Sequence, residues 1–333
     1  MKKSIVSKRV AVAILSAATA LAPVAGSLAA PVSAFAKESD AAVGSDNPEG
    51  GYVEYISDYM ENNYGSVDTN GEELGNNYGT VRSNNQDSII RNNNGTVTEN
   101  NGNIYHNYGE VSNNYRCGCV YNTGGTVINN YEESTVVGGH DYEGKENVEG
   151  VNGTIVNNIG GDAITGYGAD DLLTITNYYY GDVAQGYKRA LKDGTVQDVD
   201  FNGKIRITNN FSENDFKDKD FVTVEKQYHS VDLADAENVD VSYDGFTFGD
   251  YDKKQYAKVV ENSKPVKIDA SITLKPGHGY KLSDNGKTRG ETDKLSYTLD
   301  KHHDGSYTVK IKELKGNAVI TLEDLNLKVC KKH

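Results

Sequence analysis

The sequence lacks an excess of basic residues and, beyond its first 36 positions, any long apolar run. Its 34 Lys and Arg residues stand against 48 Asp and Glu, which gives a formal net charge of −14. An acidic surface argues against binding to nucleic acids, which need a cationic footprint, and against anionic lipid surfaces. The absence of a second apolar run of about 20 residues predicts no membrane span once the first segment is removed. These features fit an exported protein, or one that meets cations or basic partners.

Cysteine and the usual catalytic motifs are also scarce. Three cysteines are an odd number for an exported chain: Cys117 and Cys119 form a CGC sequence, and Cys330 lies near the C-terminus. The CGC sequence lacks the spacing of thioredoxin-like redox sites, so it predicts either a short disulfide or a pair of free thiols. The sequence contains no HExxH, no Ser/His/Asp context and no DxDxDG calcium loop. We therefore predict no metal site, no cofactor and no catalysis.

Residues 1–36 have the three parts of a secretory signal. A basic start is followed by a stretch rich in Ala, Val and Leu, and then by the small-x-small pattern Ala34-Phe35-Ala36. Removal of this segment, which carries four basic and no acidic residues, lowers the formal charge from −14 to −18. Its long, Ala-rich form resembles the signals of Gram-positive bacteria. No LPxTG-like motif or lipobox cysteine is present, so covalent attachment to a cell wall is not supported. We expect a secreted protein that is released, held non-covalently at a cell surface, or continued by a longer tail.

A short repeat dominates residues 61–183. Aliphatic residues recur at steps of seven to nine, an Asn usually follows three positions later, and a Gly often stands two positions before, so the unit is Gly-x-aliphatic-x-x-Asn-x. The aligned aliphatic residues are Val67, Leu74, Val81, Ile89, Val97, Ile104, Val111, Val120, Val127 and Val136. The aligned asparagines are Asn70, Asn77, Asn84, Asn92, Asn100, Asn107, Asn114 and Asn130.

Physical chemistry favours one architecture for this repeat. One aliphatic residue per unit cannot close a core alone, so the units must stack, and parallel strands about 4.8 Å apart place each aliphatic on the one below. Gly supplies the positive φ that a sharp corner needs, and Asn side chains can donate and accept hydrogen bonds from rung to rung. The repeat therefore predicts a parallel β-solenoid with an internal Asn ladder. Whether two or three units make one rung stays open, although recurring Tyr-Gly corners favour two.

The segments around the repeat predict a cap and a second module. Residues 37–60 include YVEYISDYM, whose apolar positions Val53, Ile56 and Met60 fit one helical face, so we expect a linker and a capping helix. Residues 184–220 have the composition of a connector. Residues 221–333 alternate apolar and polar positions between Gly-containing turns, which is typical of a small, Ig-like β-sandwich. The expected fold class is all-β, a parallel β-solenoid followed by a β-sandwich.

Two resemblances accompany these patterns. The array from Asn62 to Gly139 resembles the Gly-Thr-Ile/Val-x-Asn repeats of bacterial surface and autotransporter-like β-helices. The stretch LKPGHGYKL (residues 274–282), with SYTVKIKELKGNAVITL (residues 306–322), is similar to Ig-like or listerial-type repeat modules of Gram-positive surface proteins. Both resemblances imply exported surface or matrix proteins, and neither implies a particular binding residue.

The 23 tyrosines, in a chain without tryptophan, are the feature most open to a functional interpretation. Tyr at the NNYG corners can pack rung on rung, which is a structural role. The run Tyr178-Tyr179-Tyr180 breaks that pattern and is our predicted contact patch, since Tyr offers apolar area with a polar tip. We predict a secreted or cell-surface, adhesin-like or structural solenoid that binds a host or matrix glycan or protein without catalysis. The alternative is a β-helix carbohydrate-active enzyme, a polysaccharide lyase or hydrolase; the oligomeric state stays open.

Overall fold

The regular elements of the described chain are all β-strands. The computed structural model describes residues 45–138, 152–191, 194–213, 216, 218–249 and 251–332. Within these ranges there are strands but no helix. The predicted signal segment, residues 1–36, lies outside the described residues. The all-β prediction is therefore confirmed for the part of the chain that can be described.

Twenty strands build the solenoid and one hairpin inserted into it. They are β1 (Tyr52–Ile56), β2 (Tyr59–Asn63), β3 (Ser66–Asn70), β4 (Glu73–Asn77), β5 (Thr80–Asn84), β6 (Ile89–Asn93), β7 (Thr96–Asn100), β8 (Asn103–Asn107), β9 (Glu110–Asn114), β10 (Cys119–Asn122), β11 (Thr126–Tyr131), β12 (Thr135–Gly138), β13 (Asn152–Ile159), β14 (Asp162–Ile164), β15 (Leu172–Tyr180), β16 (Val183–Ala184), β17 (Tyr187–Ala190), β18 (Val196–Val199), β19 (Lys204–Asn210) and β20 (Val222–Leu233). Strands β17 and β18 form the hairpin.

Two parallel sheets face each other across a thin core. Sheet 1 runs in the order β1-β3-β5-β7-β9-β11-β13-β15-β19-β20, and sheet 2 runs from β2 through the even-numbered strands to β16. Each rung is one strand from each sheet joined by corners, so about ten rungs stack along the coil. The inward side chains are the repeat's aliphatic residues, and Val97 and Ile104 are fully buried. The predicted parallel β-solenoid is confirmed.

Strand register shows that two repeat units make one rung. Val67 pairs with Val81, Val81 with Val97, and Val97 with Val111, so successive rungs are 14 or 16 residues apart. The sequence alignment is off by one at β6, where Ile90 rather than Ile89 is the buried residue. The four-residue corner of residues 85–88 adds positions before this strand and shifts the alignment.

The predicted capping helix within residues 37–60 is wrong. YVEYISDYM forms strands β1 and β2, which are the first rung of the coil. Val53 pairs with Val67, and Met60 pairs with Leu74, so the apolar residues of this segment continue the sevenfold step of the repeat. That step fits a helical face as well as a solenoid, and stacking on the next rung selects the strand.

The glycines of the Tyr-Gly corners are needed for close packing between rungs, and not for the positive φ that the sequence analysis expected. Gly79, Gly95 and Gly109 do not have positive φ. A Cβ atom built on any of the three would lie 2.0–2.1 Å from the carbonyl oxygen of the corner glycine one rung below. These glycines are required because consecutive corners approach too closely for a side chain. Positive φ occurs instead at non-glycine residues of the opposite corners, such as Asp87 and Glu133.

The solenoid continues beyond residue 183. Strand β19 lies inside the predicted connector and pairs in parallel with β15, and the first half of β20 pairs in parallel with β19. Two phenylalanines before β20 cover the end of the coil, because Phe216 joins the core cluster and Phe221 packs against it. Lys219 Nζ donates a 2.7 Å hydrogen bond to the carbonyl oxygen of Val183 in the last strand of sheet 2.

The remaining strands belong to the C-terminal region. They are β21 (Val239–Asp244), β22 (Thr247–Phe248), β23 (Gln255–Glu261), β24 (Lys264–Pro265), β25 (Ser271–Pro276), β26 (Tyr280–Asp284), β27 (Arg289–Glu291), β28 (Leu295–Lys301), β29 (Tyr307–Leu314), β30 (Ala318–Ile320) and β31 (Leu327–Lys331). The sheet β21-β25-β29-β28-β27 is antiparallel, as a small sandwich requires.

Strand β20 belongs to both parts of the molecule. Its second half pairs antiparallel with β23 and in parallel with β30. Val231 of β20 lies in one buried cluster with Ile272 and Val309 of the five-stranded sheet. The solenoid and the C-terminal region therefore share a strand and continue one into the other.

Candidate functional site

Two columns of buried asparagines line the inside of the coil. In sheet 1 the inner ladder joins Asn70, Asn84, Asn100, Asn114, Asn130 and Asn158. In sheet 2 it joins Asn47, Asn63, Asn77, Asn93, Asn107 and Asn122. In both ladders each Nδ2 donates to the Oδ1 of the next rung toward the C-terminus, over 2.7–3.0 Å. The predicted internal ladder is present, with Asn93 at the inner position expected for Asn92.

The inner ladder of sheet 1 is closed differently at its two ends. Ile56 pairs with Asn70 at the first rung, and the buried Oδ1 of Asn70 has no hydrogen-bond donor within the described residues. At the far end Tyr178 pairs with Asn158 and occupies the next ladder position. The Tyr178 hydroxyl donates a 2.5 Å hydrogen bond to the carbonyl oxygen of Gly181. A tyrosine thus replaces an amide and satisfies a corner carbonyl.

The predicted contact patch lies at the junction of the solenoid and the C-terminal region. Tyr178 is buried and packs edge-on against Phe216, 5.4 Å between ring centroids. Tyr179 is also buried and stacks on Phe211 at 5.1 Å.

Tyr180 is half-buried, and its hydroxyl contacts Glu132 Oε1 at 3.1 Å and the Tyr251 hydroxyl at 3.3 Å. Burial, together with these two neighbours, raises the pKa of Tyr180. Two of the three predicted rings therefore hold the fold together, and the third is partly accessible.

A second set of polar columns covers the outside of the coil. On sheet 1 the outer column joins Asn113, Asn129, Asn157, Asn177 and Asn209 over 2.9–3.0 Å. On sheet 2 it joins Asp46, Asn62, Asn76 and Asn92 over 2.9 Å. Here each Nδ2 donates to the preceding rung, opposite to the inner ladders. The predicted ladder residue Asn92 belongs to this outer column and is only half-buried.

Exposed tyrosines concentrate on the first five rungs. These residues are between 42% and 50% exposed, and they are Tyr52, Tyr55, Tyr64, Tyr78 and Tyr108. Three of them stand at the corners that lead from sheet 2 to sheet 1, and we call the column of Tyr64, Tyr78, Asn94 and Tyr108 the tyrosine edge. Tyr64 and Tyr78 stack at 5.1 Å between centroids with planes 7° apart. The sequence analysis assigned these corner residues to packing, and the structure adds that each of the three tyrosines is about half exposed to solvent.

The cysteines occupy distinct environments. Cys117 is exposed, at a corner where its φ is 47°. Cys119 begins strand β10, and burial raises the pKa of its thiol to about 11. Cys330 lies in β31 and is partly buried. All three thiols are free in the structure.

Charged groups are dispersed over the described surface. Arg82 pairs with Asp68 across neighbouring strands of sheet 1, and this hydrogen bond lowers the pKa of Asp68.

Within the described ranges, no three His, Cys, Asp or Glu side chains gather closely enough to hold a metal ion. Those ranges also contain no helix long and apolar enough to cross a bilayer. No family model, curated protein or solved structure matches the chain.

Proposed function

We propose that the chain is an exported, adhesin-like solenoid that binds a glycan or a protein ligand without catalysis. The signal-like residues 1–36 and the resemblance to Gram-positive surface proteins support export from a bacterium. The acidic composition, with a formal charge of −14, fits a protein that works outside the cell and away from nucleic acids. The C-terminal region, in this proposal, is an Ig-like spacer or anchor.

The observation that carries the proposal is the group of five exposed tyrosines on the first five rungs. Tyrosine supplies a large, rigid contact area with few rotatable bonds, so its immobilisation in a complex costs little conformational entropy. Here the corner rings are also fixed before binding, because Tyr64 and Tyr78 already stack on each other. Preorganised aromatic area of this kind favours binding through a lower ordering cost.

The scaffold beneath these rings supports the same role. The rungs that contain strands β1 to β9 are joined to their neighbours by parallel strand pairing and by hydrogen bonds between buried Asn side chains. A core built this way holds surface side chains at fixed spacing along the coil. Such regular spacing suits an extended ligand such as a polysaccharide chain, which can contact several rungs at once.

A binding screen with one triple variant tests the proposal. The chain from residue 37 onward would be screened against glycans and surface proteins, and its best ligand titrated against a variant with Tyr64, Tyr78 and Tyr108 changed to Ser. We expect at least tenfold weaker binding by the variant with an unchanged β-sheet circular dichroism spectrum. The control is Phe248→Ser, which removes an aromatic side chain from a residue that is 60% exposed in the C-terminal region, and it should leave affinity unchanged.

The enzyme alternative makes a different prediction. A polysaccharide lyase or hydrolase would generate new sugar ends from its ligand, detectable as reducing ends or as unsaturated products. Turnover of this kind by the purified chain would overturn the non-catalytic proposal. Equal binding by the triple variant and the wild type would show that the exposed tyrosines are not the contact surface.

A further inference from the structure

The tyrosine edge contains a gap of one rung. Tyr78, Asn94 and Tyr108 occupy the same corner position on three consecutive rungs. The Asn94 backbone N–H donates to the Asn77 carbonyl of the rung below at 2.7 Å, and the Tyr108 N–H donates to the Asn93 carbonyl at 2.8 Å. The aromatic column is therefore interrupted at Asn94, where a smaller amide side chain stands between two rings.

The width of the gap follows from the spacing of the rungs. Tyr64 and Tyr78, which are one rung apart, keep their centroids 5.1 Å apart. Parallel strands repeat about every 4.8 Å, so Tyr78 and Tyr108, two rungs apart, are separated by about 10 Å. A single six-membered ring placed between them would lie about 5 Å from each wall, which is the contact distance of the Tyr64–Tyr78 pair.

Tyr78 and Tyr108, the two residues that border the gap, are exposed to solvent, and each lies beside another aromatic ring. Tyr78 is 49% exposed and is backed on its far side by Tyr64. Tyr108 is 50% exposed and lies parallel to the His106 ring, 6.4 Å away with planes 10° apart. Asn94, which is exposed, holds the corner position between them. The rung spacing and the smaller residue at this position leave a gap about one ring wide between Tyr78 and Tyr108, which we call the slot.

We propose that the slot formed by Tyr78, Asn94 and Tyr108 binds one neutral sugar ring of a glycan. The two tyrosine faces pack against the C–H faces of the sugar, and the Asn94 amide, which can both donate and accept, hydrogen-bonds adjacent hydroxyls. An aromatic side chain from a protein partner carries at most one or two polar atoms, whereas a sugar ring carries hydroxyls around its whole rim, so the amide favours the sugar. The chain from residue 37 onward, with a formal charge of −18, favours a neutral ring over an anionic one.

This inference rests on the proposed binding function and narrows it to a ligand class and three residues. It has a direct structural test, because the position that creates the slot can be filled. Asn94 does not have positive φ, so tyrosine fits its backbone as it does at Tyr78 and Tyr108. Asn94→Tyr would complete the aromatic column and occupy the space of the sugar.

The matched control uses the same residue type on the opposite edge of the same rung. Asn101 also precedes a glycine and lies at the other end of strand β7. Asn101→Tyr adds the same ring without touching the slot. Wild type and both variants, each from residue 37 onward, would be titrated with neutral hexose and N-acetylhexosamine oligosaccharides by calorimetry and by saturation-transfer NMR.

We expect wild type and Asn101→Tyr to bind with equal affinity, and Asn94→Tyr to bind at least tenfold more weakly without a lower melting temperature. Equal binding by Asn94→Tyr refutes the slot, even when the Tyr64/Tyr78/Tyr108 triple variant shows that the tyrosine edge binds a ligand. Failure of the wild type to bind any neutral oligosaccharide refutes the sugar assignment. A wild type that binds neither glycan nor protein instead refutes the broader function.

Discussion

Replacing Asn93 by alanine should destabilise the solenoid far more than the same change at Asn92, its neighbour in sequence. The Asn93 side chain is fully buried in the inner ladder of sheet 2. It accepts a hydrogen bond from Asn77 at 2.7 Å and donates to Asn107 at 2.7 Å and to the Glu110 carbonyl at 3.3 Å. Asn92 points outward, and its side chain donates one 2.9 Å bond to Asn76.

The expected magnitudes follow from what each substitution leaves without a partner. Asn93→Ala deprives a buried donor and a buried acceptor of their ladder bonds, and each such loss costs about 1–3 kcal/mol. Two such losses sum to about 2–6 kcal/mol, and the long 3.4 Å bond that the Asn77 amide keeps to the Thr96 carbonyl lowers the upper end of this sum. We expect a loss of about 2–5 kcal/mol in unfolding free energy for Asn93→Ala. Water replaces the lost partner at the surface, so Asn92→Ala should cost about 0.5 kcal/mol or less.

Urea unfolding of the two variants and the wild type, followed by circular dichroism, measures this difference. The two variants differ by one position and by the face of the strand, so composition and helix or strand propensity cancel between them. Equal midpoints for Asn92→Ala and Asn93→Ala would refute the assignment of inner and outer columns. A larger loss of unfolding free energy for Asn92→Ala than for Asn93→Ala would instead support the alignment expected from the sequence alone, in which Asn92 is the inner residue.

Three further predictions concern other parts of the coil. Gly95→Ala should lower the melting temperature strongly, because its Cβ would lie 2.0 Å from a carbonyl oxygen of the rung below; an unchanged melting curve would contradict the corner geometry. Cys117 should be alkylated by iodoacetamide at pH 8 well before Cys119, whose pKa of about 11 keeps its thiol protonated. Labelling of Cys119 should accelerate as the pH rises toward 11. Peptide mapping that finds Cys119 labelled first at pH 8 would contradict this prediction. Tyr178→Phe should cost about 1–3 kcal/mol by leaving a corner carbonyl unpaired, and thermal unfolding would show no change if that bond is unimportant.

Much of the solenoid could be predicted from its local repeat. Val97 and Asn100 recur at a fixed step because each rung repeats the same contacts, so period, parallel stacking and the amide ladder follow from the sequence. The choice between Asn92 and Asn93 could not be made this way, since both are asparagine and the corner before them has an irregular length. Only the pairing of each strand with its neighbours fixes which amide points inward.

Features that depend on contacts between distant parts of the chain could not be predicted from the repeat. Val53 and Met60 fit a helix and a strand equally well, and the stacking partner of each decides between them. The sequence also gives no sign that Tyr178 enters the core, because that depends on Phe216, which arrives 38 residues later in the chain. The exposed corner tyrosines were visible as a motif, but their accessibility is a property of the assembled edge.

The strand shared by the solenoid and the C-terminal region has a mechanical consequence. Five residue pairs join β20 to β19, from Ile205↔Val222 to Asn210↔Gln227, while the far half of β20 is held in the C-terminal core. A pull on the C-terminal region along β20 therefore loads these parallel hydrogen bonds in shear, all at once, instead of peeling them one by one. A tether attached through this strand would carry load from a bound ligand without a hinge between the two parts.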